Sequence, residues 1–208
     1  MCIRDSYEVA HRNVLSDEPQ LRGTIDNELL YGLALEEDRQ ILSGSGANEE
    51  LLGLLVTAGI QGYTQANNAT VATEPKSDAL RRAATKAVLA NYAPTGYVLH
   101  PNDWEDIELQ KATGDGQYML VTNIAVGAGA TAWRQPVVET PAMPEGTFLT
   151  GAFGLAAQLY DRMQANIRIA EQHADFFIRN AVVILAEERL ALAVKRPEAF
   201  VKGTFFGA

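Results

Sequence analysis

Residues 16–46 read SDEPQLRGTIDNELLYGLALEEDRQILSGSG, and this stretch predicts one long helix. Ser16 or Asp17 can cap its N-terminus, and Pro19 suits a first helical turn. The GSG sequence near the end of the stretch can stop the helix. Roughly 25 residues at about 1.5 Å each span about 37 Å, which is longer than a small core requires. The apolar positions recur near a 3.6-residue period, at Leu21, Ile25, Leu29, Leu33 and then Ile41 or Leu42.

The C-terminal part of the chain favours long strands. Residues 166–196 read NIRIAEQHADFFIRNAVVILAEERLALAVKR. Ile167 and Ile169 alternate with polar residues, and residues 182–184 are all β-branched, as is typical of strands. The portion LAEERLALAV alone would also fit a helix. We predict long strands here, ended by Arg196-Pro197 because proline cannot donate to a β-ladder.

The middle of the chain predicts an α/β subdomain, from Lys76 to about Tyr160. Residues 44–74 are rich in glycine and polar residues, and we expect them to form a connection with short strand pieces. A helix is predicted over 76–92, with Ser77 as its cap. Its buried side is expected to comprise Leu80, Ala83, Ala84, Ala87 and Val88.

A short buried strand is expected at 97–99. A third helix is then predicted from Pro101-Asn102-Asp103 to near Thr113, closed by a GDG turn at 114–116. Strands separated by glycine and proline follow: QYMLVTNIAV at 117–126, WRQPVVET at 133–140 and TFLTGAF at 147–153.

Length and composition argue against several classes of protein. The chain has 208 residues, of which 47% are hydrophobic, and a formal net charge of -9. No apolar run approaches the roughly 20 residues of a membrane-spanning helix. The negative charge opposes wrapping of nucleic acid, since that binding needs surplus lysine and arginine. One cysteine, three scattered histidines and the lack of phosphate-binding glycine motifs support neither a zinc site nor a nucleotide site.

Charge is distributed unevenly along the chain. Residues 16–50 hold nine acids and two arginines, a balance of -7, whereas residues 162–202 hold seven basic residues and five acids, a balance of +2. The two regions could complement each other within one subunit or between neighbours, although exposed pairs contribute only about 0–1 kcal/mol each. The asymmetry is compatible with lateral assembly.

HPNDWEDIE, residues 100–108, concentrates one histidine with several oxygen ligands. A metal or acid/base site is conceivable there. We favour a capped helix, with Asn102 or Asp103 as the cap and with Glu105 and Asp106 stabilised by the helix dipole.

The paired acids Glu187 and Glu188 could likewise suggest general acid/base catalysis. On a strand they would point to opposite faces and would not share a pocket. We therefore interpret Glu187, Glu188 and Arg189 as residues that make polar contacts along the sheet or across a subunit boundary.

Taken in order, several stretches resemble the major capsid proteins of tailed bacteriophages that have the HK97-type fold. LSDEPQLRGTIDNELLYGLALEEDRQILSGSG is similar to the spine-helix region of that family, and GYVLHPNDWEDIELQKATGDGQYML to the strand, helix and turn of its axial domain. AEERLALAVKRPEAFV is similar to the closing strand and its Arg-Pro end. WRQPVVETPAMPEGTFLTGAF and the Asp161-Arg162 pair fit the order between them, so the resemblance runs from about Asn13 to Val201.

The resemblance implies an α+β fold, the HK97-like capsid fold, with a long spine helix, a peripheral domain sheet and an α/β axial domain. Residues 1–50 and 162–208 would form the peripheral domain and residues 51–161 the axial domain. The implied function is structural: a subunit of an icosahedral shell that encloses packaged DNA without binding it specifically. No catalytic, cofactor-binding or metal-binding residue is implied.

The implied partners are further copies of the chain, as hexamers and pentamers of a capsid, with no membrane. A scaffolding segment or protease, a portal protein and decoration proteins are further candidates. The implied location is the virion capsid, after assembly in the cytoplasm of the host bacterium.

Family members carry an N-terminal arm and an extended loop before the spine helix, whereas only YEVAHRN precedes that region here. We therefore expect a truncated subunit whose natural gene begins further upstream, and we expect no large shells from it. Some relatives join a loop lysine to an asparagine, assisted by a glutamate. Asn180 and Glu187 match those positions, but the loop that would hold the lysine is missing, so we expect strand contacts rather than a cross-link.

Two alternatives stay open at this point. An encapsulin-like shell protein of a bacterial compartment would share the fold. A small cytoplasmic α/β enzyme that works through the carboxylates of HPNDWEDIE would differ in class.

Overall fold

The computed structural model describes residues 2–11, 19–65, 74–110, 130–170 and 176–205. It divides into two units, Met1–Gly53 with Leu159–Ala193, and Leu54–Gln158 with Val194–Ala208. The helices are α1 (Pro19–Ser43), α2 (Lys76–Leu89), α3 (Pro101–Glu108), α4 (Phe153–Ala156) and α5 (Phe176–Arg179), with a 3-10 turn at Pro197–Ala199. The strands are β1 (Cys2–His11), β2 (Gln61–Thr64), β3 (Gly96–Leu99), β4 (Thr131–Ala132), β5 (Gln135–Glu139), β6 (Thr147–Gly151), β7 (Ala157–Ala170), β8 (Ala181–Val194) and β9 (Phe200–Thr204).

The predicted long helix is confirmed as α1, which has 25 residues. Leu29, Leu33 and Leu42 on its predicted apolar side are buried. Leu21 is instead 37% exposed. The proposed caps at residues 16 and 17 lie outside the described residues.

A polar network fixes the C-terminal end of α1. Arg39 donates from Nε and Nη2 to both carboxylate oxygens of Glu36, at 2.7 and 2.5 Å, and from Nη2 to Glu50 at 3.2 Å. The other oxygen of Glu50 accepts hydrogen bonds from the backbone N–H and hydroxyl of Ser45. These bonds from Ser45, with that from Arg39, lower the pKa of Glu50. Arg39 before the glycine-rich turn and Glu50 after it therefore hold this turn between them.

The first unit contains a three-stranded sheet in the order β1-β8-β7. The predicted long strands are confirmed, each with 14 residues. The helical alternative for LAEERLALAV is wrong, because burial in β8 follows a period of two. Ile184 and Ala186 pack against Leu29 of α1, and Leu190 packs against Leu51. The even-numbered residues of β8 thus form the core of this unit.

The second unit contains a six-stranded mixed sheet in the order β2-β9-β6-β3-β5-β4. The pairs β2–β9 and β3–β5 are parallel, and the other pairs are antiparallel. Alanines along one side of α2 let that helix approach the sheet closely. The core of the second unit includes Leu80, Ala83, Ala87, Tyr97, Leu99, Trp104, Ile107, Phe148 and Val201.

Three details of α2 differ from the sequence-based prediction. Ser77 is not the cap, because the helix already begins at Lys76 and Pro75 stands at the N-cap without a side-chain cap bond. Val88 is 53% exposed, because the buried stripe runs through alanines. The helix ends at Leu89 rather than at Tyr92. Asn91, two residues after the helix end, adopts a left-handed φ of 67°.

The third helix is also shorter than predicted, and its cap is a different residue. Nδ1 of His100 accepts a hydrogen bond from the backbone N–H of Asn102 at 3.1 Å, so neither Asn102 nor Asp103 is the cap. The helix ends at Glu108 rather than near Thr113. The predicted turn at 114–116 and strand at 117–126 lie outside the described residues.

The end of the chain, Val194–Ala208, belongs to the second unit, whereas the predicted peripheral domain extends to residue 208. Pro197 opens a 3-10 turn that separates β8 from β9. β9 then pairs with both β2 and β6 in the six-stranded sheet. Gly203 fits against the ring of Phe148, where a Cβ atom would lie 2.0 Å away. The closing strand therefore completes the core of the second unit.

The β4–β5 hairpin carries backbone strain. Thr131 pairs with Pro136 and Ala132 with Gln135, which leaves a two-residue turn. Its residues Trp133 and Arg134 have φ angles of 50° and 71°. Such turns favour glycine because a Cβ atom is unfavourable in this region.

We predict that Arg134→Gly stabilises the second unit by about 1 kcal/mol, since glycine adopts the left-handed region without the Cβ penalty. The measurement is the midpoint of urea denaturation. Arg134→Ala is the matched control, because it removes the same side chain but keeps the Cβ atom. Equal midpoints for the two variants would show that the turn is unstrained.

The hydroxyl of Tyr97 is buried in the second unit and lacks a hydrogen-bond partner among the described residues. We predict that Tyr97→Phe leaves stability unchanged or raises it, because the phenylalanine removes an unsatisfied polar group. Thr150→Val is the contrast, because the buried Thr150 hydroxyl donates to the carbonyl of Gly96 at 2.9 Å. That change should cost about 1 kcal/mol.

Alkaline pH gives a second readout at Tyr97. Burial raises its pKa to about 12 from 10.0. The unfolded phenol ionises first as the pH rises, so the stability that depends on a neutral phenol is lost between pH 10 and 12. The melting temperature of Tyr97→Phe should therefore exceed that of the parent protein by a margin that grows between pH 10 and 12. A constant difference across the window would contradict the burial of the hydroxyl.

Candidate subunit-contact site

The charged cluster predicted in the C-terminal region lies in the middle of β8, the central strand of its sheet. Glu188 lies between Ala186 and Leu190 on the face that packs against α1 and its following turn. Glu187 and Arg189 lie on the opposite face. The two acids therefore do not share a site.

Glu187 is paired with a basic residue of the neighbouring strand. Nη2 of Arg168 in β7 lies 2.8 Å from Oε1 of Glu187. The Glu187 side chain is only 17% exposed, whereas that of Arg168 is 60% exposed. Such a half-exposed pair contributes about 0–1 kcal/mol, so it orients both side chains more than it stabilises the unit.

Arg189 has unused hydrogen-bonding capacity. Its Nε atom is buried and finds no acceptor within the described part of the chain. A guanidinium presents five N–H donors in a planar fork, which suits recognition of a carboxylate. The Nε of Arg189 is therefore an unsatisfied donor on the face of the sheet away from α1.

Asn180 stands directly before β8 and is separated from the acidic cluster. It is exposed and adopts a left-handed φ of 56°, a conformation that asparagine tolerates better than most residues. Seven residues of strand at about 3.3 Å each place it roughly 23 Å from Glu187 along the chain. The two residues of one chain therefore cannot act on the same bond.

The face of the sheet that points away from α1 also carries apolar residues. Tyr7 and Val9 in β1 pair with Leu185 and Val183 in β8. Their exposures are 68% for Tyr7 and 44% for Val9. Together with Glu187 and Arg189 they make this face partly apolar and partly charged.

The carboxylates of HPNDWEDIE serve packing in the second unit. Asp103 is buried and accepts hydrogen bonds from Nζ of Lys76 at 2.9 Å and from the backbone N–H of Gly146 at 2.7 Å. Lys76 also binds Asp106 at 2.8 Å and lies 5.1 Å from the ring centre of Phe205. Burial lowers the pKa of Lys76, but the bonds from Asp106 and Asp103 outweigh it and raise the pKa overall.

Sequence reasoning missed Lys76 and Arg168, the partners of these acids. Lys76 lies 27 residues from Asp103, and Arg168 lies on a different strand from Glu187. The sequence gives two signals: Lys76 stands at the start of a predicted helix, and Arg168 stands in a predicted strand with alternating polarity. Neither signal identifies a partner without the tertiary fold.

Within the described ranges, no group of three or more histidine, cysteine, aspartate or glutamate residues is arranged to hold a metal ion. The helices in the same ranges include none that is long and apolar enough to span a membrane.

We predict that Asp103→Ala destabilises the second unit by about 2–3 kcal/mol, because it leaves the Lys76 ammonium and the Gly146 N–H without their acceptor. The matched control is Asp106→Ala, whose side chain is 66% exposed and whose loss should cost under about 1 kcal/mol. Thermal denaturation of both variants measures the difference. A similar cost for both would contradict a structural role specific to Asp103.

Comparison with known proteins places this geometry in a family. The Phage capsid family matches residues 6–205. The major capsid protein of Enterobacteria phage HK97 is 40% identical over 196 residues, which cover 94% of this chain and 49% of that protein. The chain thus spans about half the length of the curated relative it matches.

Solved structures confirm the α+β, HK97-like fold. The capsid of an empty GTA particle matches with a TM-score of 0.79 at 18% identity, over 98% of this chain and 73% of that one. A virus-like particle from Pyrococcus furiosus matches with a TM-score of 0.63 at 14% identity, over 96% and 74%. From the family match along residues 6–205 and the 40% identity with the HK97 protein, the chain belongs to the phage capsid family.

Proposed function

We propose that the chain is a structural subunit of an icosahedral phage capsid, which acts by self-assembly and encloses packaged DNA. The observation that carries the proposal is the family match over residues 6–205. The chain acts as a building block rather than as an enzyme. This agrees with the use of Asp103, the buried acid of HPNDWEDIE, as a packing residue.

The two units correspond to the two domains of such a subunit. The unit with α1 and the three-stranded sheet is the peripheral domain, and α1 is its spine helix. The unit with the six-stranded sheet is the axial domain, and it includes β9. In this arrangement the axial domains meet in pentamers and hexamers.

The partners are chiefly other copies of the chain. A scaffolding segment or protease, a portal protein and decoration proteins complete the set. DNA is enclosed without specific binding, which the net charge of -9 supports because a negative container does not attract phosphates. The protein is located in the virion capsid after assembly in the host bacterial cytoplasm.

The charged cluster of β8 serves contacts between subunits. Arg189 lies on the same face as Glu187, and Glu187 is already oriented by Arg168. Asn180, directly before β8, is a further contact residue, whereas Glu188 faces α1 and makes polar contacts along the sheet. A cross-link at Asn180 that used a glutamate would take Glu187 from a different chain, because roughly 23 Å of strand separates the two residues within one chain.

A bacterial compartment shell of the encapsulin type is the second candidate function. The likeness to the Pyrococcus furiosus virus-like particle favours it, but its TM-score of 0.63 is below the 0.79 of the GTA capsid. Terminase and portal genes beside this gene would support the capsid. A neighbouring cargo-enzyme gene would support the compartment.

We expect the complete product of this gene, expressed with its scaffold or protease, to form uniform closed shells in electron micrographs. The 208-residue chain alone is the control, and it should form none because it spans only about half the length of the HK97 major capsid protein. A complete product that stays monomeric would count against the capsid function. Shells from the 208-residue chain would show that the length beyond it is dispensable.

A further inference from the structure

His100 caps α3 with a side chain whose hydrogen-bonding role depends on its charge. Its Nδ1 atom accepts a hydrogen bond from the backbone N–H of Asn102 at 3.1 Å. Pro101 has no N–H group, so this is the first backbone N–H of the helix, and the side chain satisfies it. Nδ1 can accept only while it carries no hydrogen, which places the hydrogen of the neutral ring on Nε2. The cap bond therefore exists only for a neutral histidine.

The same ring nitrogen also faces an acceptor. Oε1 of Glu145, on the turn before β6, lies 3.7 Å from Nδ1 of His100. That oxygen is held in place by Nδ2 of Asn102, which donates to it at 2.5 Å. Nδ1 thus stands between an N–H donor and a carboxylate, and no single protonation state satisfies both. Protonation puts a hydrogen on Nδ1, which then repels the N–H of Asn102 and can donate to Glu145.

The surroundings keep both alternatives within reach of the ring. The His100 side chain is only 16% exposed, whereas that of Glu145 is 62% exposed and can adjust towards the ring. Asp103 accepts a hydrogen bond from the backbone N–H of Gly146 at 2.7 Å, which ties α3 to the residue after Glu145. The helix and the turn therefore stay together if the cap bond is lost. Only the first turn of α3 depends on the state of the ring.

Other charges near the ring leave Glu145 as its acceptor. The contacts around the ring bring in four further titratable side chains, namely Lys76, Asp103, Asp106 and Glu139. The lysine binds both aspartates, at 2.9 and 2.8 Å. Glu139 is exposed on β5 opposite Leu99, and Glu105 and Glu108 are exposed further along α3. A protonated ring is repelled by the positive end of the α3 dipole and attracted by Glu145, so both forces act in the same direction.

We propose that His100 is a pH-sensitive helix cap. While neutral, its Nδ1 accepts the N–H of Asn102, and on protonation the ring turns so that Nδ1–H donates to Oε1 of Glu145. The first turn of α3 then loses its cap, while Asp103 keeps the helix attached to the turn before β6. This device lies within one unit of a single chain, so it does not depend on the proposed capsid function.

Hydrogen exchange of the Asn102 amide tests the loss of the cap. Histidine side chains ordinarily change charge between about pH 5 and 8, so pH 5.5 and pH 8 are compared. Relative to an unstructured peptide at the same pH, the Asn102 amide should be about fivefold less protected at pH 5.5 than at pH 8. Equal protection of the parent protein at both pH values would overturn the proposal.

Two substitutions assign the change to His100. Asparagine caps helices without titrating, so in His100→Asn the protection of the Asn102 amide should be the same at both pH values. His11→Asn is the matched control, because it removes a histidine from the other unit, and it should keep the response of the parent. A response in His100→Asn equal to that of the parent would contradict the proposal.

Glu145→Gln tests the second partner of the ring. The glutamine oxygen can still accept from Asn102, but a neutral amide forms no ion pair with a protonated ring. That ion pair exists only when the ring is protonated, so its contribution is present at pH 5.5, where carboxylates are ordinarily still ionised, and lost at pH 8. In urea denaturation, Glu145→Gln should therefore lower the folding equilibrium constant about threefold more at pH 5.5 than at pH 8. An equal effect at both pH values would show that the ring does not turn to Glu145.

Crystal structures of the chain at the two pH values measure the exchange directly. At pH 5.5 the distance from Nδ1 to Oε1 of Glu145 should shorten from 3.7 Å to about 2.7–2.9 Å. The distance from Nδ1 to the backbone nitrogen of Asn102 should lengthen from 3.1 Å to beyond about 3.5 Å. A ring that keeps both distances at pH 5.5 would overturn the proposal.

Discussion

The first unit depends on one packing contact, between Leu29 of α1 and the residues Ile184 and Ala186 of β8. Because side chains alternate along a strand, this contact assigns every even-numbered residue of β8 to the core and every odd-numbered one to the other face. A shift by one residue would turn Ile184 and Ala186 away from α1 and turn Glu187 and Arg189 towards it. The side of the sheet on which Glu187 and Arg189 lie thus follows from apolar packing.

The sequence predicted those parts of the fold whose signals are local. The long helix, the two long strands and the short strand at Gly96–Leu99 each have an apolar period that a single segment displays. That Glu187 and Glu188 point to opposite faces of the sheet also follows from the strand prediction alone. The fold class was predicted from the order of the stretches that resemble the phage capsid family.

The rest depends on contacts between distant residues. The cap of α3 is His100 because its ring nitrogen reaches Asn102, a use of histidine that capping preferences do not favour. Lys76 finds Asp103 only after α2 and α3 are packed together. β9 joins the second unit because its edges match β2 and β6, and no residue near Pro197 signals that choice.

The position of β8 and β9 late in the chain constrains biosynthesis. β8 is the central strand of one sheet, and β9 lies between β2 and β6 of the other. Residues 1–180 therefore leave the ribosome before either sheet has its joining strand. Contacts of such long sequence separation fold slowly and leave apolar edges exposed in the meantime. A cell making many copies at once would have to shield nascent chains until β8 and β9 emerge.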